Sequence, residues 1–179
     1  MKTTQVLIAG FGGQGILFAG KFLAYKGLME DLQVSWLPSY GPEMRGGTAN
    51  CSVILSEEPV GSPIISTPDV LIAMNLPSLQ KYVDAVAPGG QIYVDSALID
   101  AKVERTDVEV FYIPATQMAK ENGIPTLANM IILGHALQNY PELSFEGVDA
   151  VISKLVPPKK AALVELNMKA LTLGKEYNA

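Results

Sequence analysis

Residues 4–10, TQVLIAG, form a short run that is almost wholly apolar and rich in β-branched side chains. A strand of that composition reads as buried on both faces. It runs directly into GFGGQG (10–15) and then into GQGILFAGKFLAYKGL (13–28). In the latter, Ile16, Ala19, Gly20, Leu23, Ala24 and Gly27 recur at steps of three and four. That spacing predicts an amphipathic helix, with Gly27 marking its C-terminal end. A doubly buried strand, a glycine turn and a helix together open a largely parallel sheet wrapped by helices.

The rest of the chain extends this pattern. Strands are expected over 32–38, 48–56, 69–75, 91–98 and 108–115, and helices over 77–90, 115–123, 126–140, 144–155 and 159–177. The strand at 48–56 follows 32–38 too closely for a helical crossover, so it is expected to run antiparallel. The predicted fold is a Rossmann-like three-layer α/β/α sandwich with a mainly parallel, mixed sheet and a helical C-terminal third, as one domain over 1–179.

Composition narrows the function classes. The chain is 49% hydrophobic but only 17% charged, with a net charge of −5. A core of ordinary domain size is available, and no basic face for nucleic acid is expected. One cysteine, Cys51, builds neither an internal disulfide nor an iron–sulfur or zinc site, and suits a reducing cytoplasm. No apolar run of about 18 residues is present, so no membrane span is expected. The N-terminal residues carry no secretory pattern.

Two loops carry the chemistry. Gly10, Gly12 and Gly15, with an extra Gly13, match G-x-G-x-x-G between a buried strand and a helix. Glycines allow a tight turn and close backbone approach, and a helix N-terminus favours an anion. The acid that holds a ribose at the end of the second strand is missing, because that strand ends SWLPSYG. Three readings of the turn stand: packing of strand on helix, contact with an anion, or dinucleotide binding.

The second loop is SYGPEMRGGTANCS (39–52). Gly41, Pro42, Gly46 and Gly47 shape a backbone from which Arg45, one of two arginines, can project. Its guanidinium fork suits a phosphate or carboxylate. Arg45 and the glycine turn are expected on one rim at the strand C-termini. The plain alternative is a surface pair of Arg45 with Glu43. Tyr40 either stacks on an aromatic ligand ring or anchors the loop.

The blocks GFGGQGILFAGKFLA (10–24), LPSYGPEMRGGTANCSVILSEEPVGSP (37–63), PDVLIAMNLPSL (68–79) and ANMIILG (128–134) occur in that order. They resemble the gamma subunit of 2-oxoacid:ferredoxin oxidoreductases, and the PSYGPEMRGG form resembles the 2-oxoglutarate and branched-chain members. The resemblance implies a multi-subunit enzyme that decarboxylates a 2-oxoacid on thiamine diphosphate. It then passes electrons through iron–sulfur clusters to ferredoxin and releases acyl-coenzyme A. It implies that alpha, beta and ferredoxin-like delta partner subunits hold the thiamine diphosphate and the clusters. This chain would be inactive alone, would bind no cofactor alone, and would help form or close the coenzyme A site. The expected cofactor-facing residues are Gly10, Gly12, Gly13, Gln14, Gly15, Tyr40, Glu43, Arg45, Gly46, Gly47 and Asn129. In isolation the chain would form a homodimer through its partner surface.

Other residues read more plainly. Cys51 is expected as a small buried side chain, His135 as a packed residue and Trp36 as core. Asn75 and Asp95 are expected in caps or turns, and Lys159 and Lys160 in water. The alternatives to a complex subunit are a free-standing nucleotide-binding reductase and a structural spacer.

Overall fold

Thr3–Phe11 forms β1, and its alternate side chains reach two cores. Val6 and Ile8 enter one, Leu7 the other. The computed structural model describes residues 2–39 and 48–178. Its strands β2 (Gln33–Ser39), β3 (Thr48–Ser56), β4 (Val70–Ala73), β5 (Gln91–Asp95) and β6 (Glu109–Ile113) join β1 in one six-stranded sheet of order β2-β3-β1-β4-β5-β6. β1, β4, β5 and β6 pair in parallel. β3 is antiparallel to both β1 and β2. The sheet is therefore mixed, with β3 reversed as the short 32–56 connection requires.

The larger core lies beneath α1 (Ile16–Met29), α3 (Ala115–Glu121), α4 (Ala128–Asn139), α5 (Val148–Leu155) and α6 (Ala162–Glu176). The smaller core lies under α2 (Leu76–Tyr82), the 3-10 turn Val83–Ala85 and the connection that carries Ile99 and Val103. The helical layers are thus unequal.

α4 and α6 cross at glycines. A Cβ on Gly134 would strike the Leu171 carbonyl, and one on Gly174 would strike the Ile131 carbonyl. That close approach puts the Gly174 carbonyl 3.0 Å from Nδ1 of buried His135. His135 packs edge-on against Tyr93, Phe111 and Tyr177. Burial lowers its pKa from the ordinary 6.5, partly offset by the Gly174 contact. In the same helical layer, Lys26 of α1 is buried. It pairs with Glu30 and donates to the Glu146 carbonyl at 3.0 Å, which compensates a charge that burial alone would penalise.

Several element bounds differ from expectation. α1 runs to Met29 rather than stopping at Gly27. Gly27 is there for packing, since a Cβ would meet Leu55 Cδ2 at 2.5 Å. The helix expected over 77–90 is α2 plus a 3-10 turn, and the strand expected over 91–98 ends at Asp95. Trp36 is not core. It is 36% exposed, because β2 is an edge strand with one neighbour. Its indole is nonetheless drawn in beside Gly20, where a Cβ would lie 3.1 Å from Nε1.

Candidate functional site

The first turn after β1 is shaped by glycines that no other residue replaces without strain. Gly13 and Gly15 have φ of 92° and 74°, in the left-handed region. Gly15 is the N-cap of α1, which has no side-chain cap among the described residues and no acid in its first turn. The Gly15 carbonyl accepts from Ala19 N–H at 3.1 Å and from Asn129 Nδ2 at 3.0 Å. Asn129 is almost fully buried on α4, and its Oδ1 has no hydrogen-bond partner among the described residues. A Cβ on Gly15 would lie 2.5 Å from Asn129 Nδ2. So Asn129, 114 residues further along, is fitted against the start of α1.

Gln14 turns inward. Its Oε1 accepts from Phe11 N–H at 2.6 Å and its Nε2 donates to the Met74 carbonyl at 3.0 Å. The outward side of the turn is apolar. A cleft of about 270 Å³ there is lined by Phe11, Gly13, Ile16, Leu17, Phe18 and Ala49, with no charged side chain among the described residues. Leu17 and Phe18 flank the buried stripe of α1. The sequence signal for this cleft is two apolar residues just off the core-facing spacing.

The second loop begins and ends at this same edge. Ser39 closes β2 and pairs with Asn50, and Thr48 opens β3 opposite Phe11. Tyr40, Glu43, Arg45, Gly46 and Gly47 lie outside the described residues. Gly10, Gly12, Gly13, Gln14, Gly15 and Asn129 are brought together at the end of β1. The other arginine, Arg105, is committed elsewhere: it binds Asp107 and the carbonyls of Val83 and Val86.

The remaining polar residues have structural partners. Asn75 Oδ1 caps α2 by accepting Ser78 N–H at 2.8 Å. Asp95 accepts from Ala97 N–H and from the N–H and hydroxyl of Thr116, tying the end of β5 to the start of α3. Burial raises its pKa, and those hydrogen bonds oppose the rise. Cys51 is buried with Sγ 3.5 Å from the Ile16 carbonyl, and burial pushes its thiol up to about 12. It is packed rather than nucleophilic. Lys159 and Lys160 are exposed in the 3-10 turn before α6. No group of three or more His, Cys, Asp or Glu side chains is placed to hold a metal among the described residues. Among those residues no helix is long and apolar enough to cross a membrane.

The family model for pyruvate ferredoxin/flavodoxin oxidoreductase matches residues 5–177. The ketoisovalerate oxidoreductase subunit VorA of Methanothermobacter thermautotrophicus is 41% identical over 177 residues, covering 97% of this chain and 36% of that protein. The chain thus spans about a third of the length of that relative. The 2-oxoglutarate synthase subunit KorC of Methanothermobacter marburgensis is 34% identical and covers 96% of this chain and 95% of its own. Among solved structures, a keto/oxoacid ferredoxin oxidoreductase gamma subunit from Geobacter sulfurreducens matches with a TM-score of 0.81 at 30% identity, over 97% of this chain and 96% of its own. A 2-oxoglutarate:ferredoxin oxidoreductase from Magnetococcus marinus, solved with 2-oxoglutarate, coenzyme A and succinyl-CoA bound, matches with a TM-score of 0.86 at 26% identity. That match covers 99% of this chain and 32% of the other. The chain belongs to the pyruvate ferredoxin/flavodoxin oxidoreductase family.

Proposed function

We propose that this chain is the gamma subunit of a multi-subunit 2-oxoacid:ferredoxin oxidoreductase acting on 2-oxoglutarate or a branched-chain 2-oxoacid. In that reaction the carboxylate leaves as carbon dioxide and the oxo carbon is oxidised to the acyl level. The electron pair passes to ferredoxin and the acyl group to the thiol of coenzyme A. Alpha, beta and delta partners supply the thiamine diphosphate and iron–sulfur clusters, and the complex is cytoplasmic. The observation that carries this reading is the end-to-end likeness to KorC, which covers 96% of this chain and 95% of that subunit.

This chain's own part is a rim at the strand C-termini. The turn residues Gly10, Gly12, Gly13, Gln14 and Gly15, held by Asn129, form one side. The loop with Tyr40, Glu43, Arg45, Gly46 and Gly47 forms the other, and Arg45 meets a negative group of coenzyme A or of a partner. The pairing of Thr48 with Phe11 supports this, since it roots both loops at one edge. Purified alone, the chain is inactive and self-associates through the surface meant for its partners.

Native purification through a tag on this chain is expected to bring thiamine-binding and iron–sulfur subunits with it. Recovery of the chain alone from the cell would end the subunit reading. In the purified complex, Arg45→Ala is expected to raise the apparent KM for coenzyme A. An unchanged KM with assembly intact removes Arg45 from the site.

A further inference from the structure

β1 leads into α1 on one face of the sheet, and β4 leads into α2 on the other. Since β1 and β4 are parallel neighbours, the gap between their C-terminal ends is the switch point of the sheet. Open α/β folds bind ligands in that crevice. Here a side chain of the protein itself fills it. Phe11 ends β1 and Met74 directly follows β4. The Gln14 carboxamide joins them, accepting from Phe11 N–H at 2.6 Å and donating to the Met74 carbonyl at 3.0 Å. The carboxamide lies over Gly10, where a Cβ would come 2.5 Å from Oε1 and 3.1 Å from Met74 Cβ. On the helix side, Asn129 closes on Gly15 in the same way.

We propose that Gln14 is a specificity-determining residue whose carboxamide occupies the switch-point crevice and excludes nucleotide diphosphates from the glycine turn. A diphosphate is held in such a turn by backbone N–H groups that glycine lets it approach. The Phe11 N–H already has an oxygen acceptor, and that oxygen presents its negative end to any arriving anion. The turn therefore gives the rim its shape and its apolar outward cleft. The negative parts of a ligand fall to other residues. This inference rests on the rim being the ligand-facing edge, as proposed above. Its test needs no partner subunit, so a failed co-purification leaves it standing or falling on its own.

The test uses the full chain and its Gln14→Ala variant, titrated calorimetrically with ADP and with NADH, with amide hydrogen exchange followed at Phe11. The wild-type chain is expected to bind neither nucleotide with a Kd below about 1 mM, and its Phe11 amide to be protected. In Gln14→Ala the Phe11 amide exchanges faster, and ADP binds with a Kd of about 100 μM or less, at least about tenfold below that limit. Gln14→Glu keeps an acceptor for Phe11 N–H and adds negative charge, so it binds neither nucleotide. Should Gln14→Ala fail to fold, Gln14→Asn, too short to span both strand ends, takes its place with the same readouts. Wild-type binding below about 1 mM overturns the proposal. So does a folded variant with a fast-exchanging Phe11 amide and no gain in ADP affinity.

Discussion

Replacing Gly15 by alanine probes the joint between the glycine turn and α4, and its cost follows from two separable contacts. Gly15 has φ of 74°, where an L-residue costs about 1–2 kcal/mol. The new Cβ would also lie 2.5 Å from Asn129 Nδ2 and 2.9 Å from Cγ. Asn129 is held in the interior, so its carboxamide must leave the Gly15 carbonyl, losing a hydrogen bond worth about 1 kcal/mol. Gly15→Ala should therefore destabilise by about 2–3 kcal/mol, lowering Tm by about 4–12 °C for a chain of this size. Asn129→Ala alone loses the same hydrogen bond, together with an Oδ1 that has no partner among the described residues, for a net cost of about 1 kcal/mol. In the double variant the collision is gone and the hydrogen bond is lost only once, so the total stays near about 2–3 kcal/mol. The two sites should couple by about 1 kcal/mol in a cycle measured by equilibrium urea unfolding. Additivity within about 0.5 kcal/mol, or a Gly15→Ala variant as stable as wild type, would refute the reasoning.

Two further predictions concern the C-terminal helices. Gly174→Ala sets a Cβ against the Ile131 carbonyl and 2.8 Å from His135 N, both backbone atoms that cannot rotate away. Overpacking of up to about 3 kcal/mol, less about 1 kcal/mol of helix propensity gained, leaves a net loss of about 2 kcal/mol, readable in thermal unfolding. A neutral or stabilising result would mean that α4 and α6 do not cross so closely. His135 has a folded-state pKa below its ordinary 6.5, so the unfolded chain binds the extra proton first. Its neutral form therefore contributes stability that is full above about pH 6.5 and is lost as pH falls towards the folded pKa. His135→Phe should flatten that slope in urea titrations between about pH 5 and 7, whereas an unchanged slope would assign it to other groups.

Much of the fold was legible because its signals are local. The apolar run before Gly10 and the stripe from Ile16 to Gly27 report how each segment is buried, and burial follows from neighbours a few residues away. The short connection from 32–38 to 48–56 was enough to require the reversal of β3, since so few residues cannot carry a crossover. Cys51, His135, Asn75 and Asp95 likewise took the structural roles their contexts suggested. Trp36 did not, because no local pattern says which strand ends the sheet.

What residue order alone determined about this protein is its sequence of elements, the two-faced burial of β1 and the presence of two glycine-rich loops. Periodicity and turn chemistry act over a few residues, so they can be read without the fold. The tertiary structure alone decided what the glycine turn faces and where the second loop is rooted. Gln14 reads as a ligand-contacting residue in sequence, yet its carboxamide finds the Met74 carbonyl, 60 residues away. Asn129 meets Gly15 across 114 residues, and Thr48 meets Phe11 only through strand pairing. Such hydrogen bonds depend on where separate elements come to rest, and that is set by the packing of the whole chain rather than by any stretch of it.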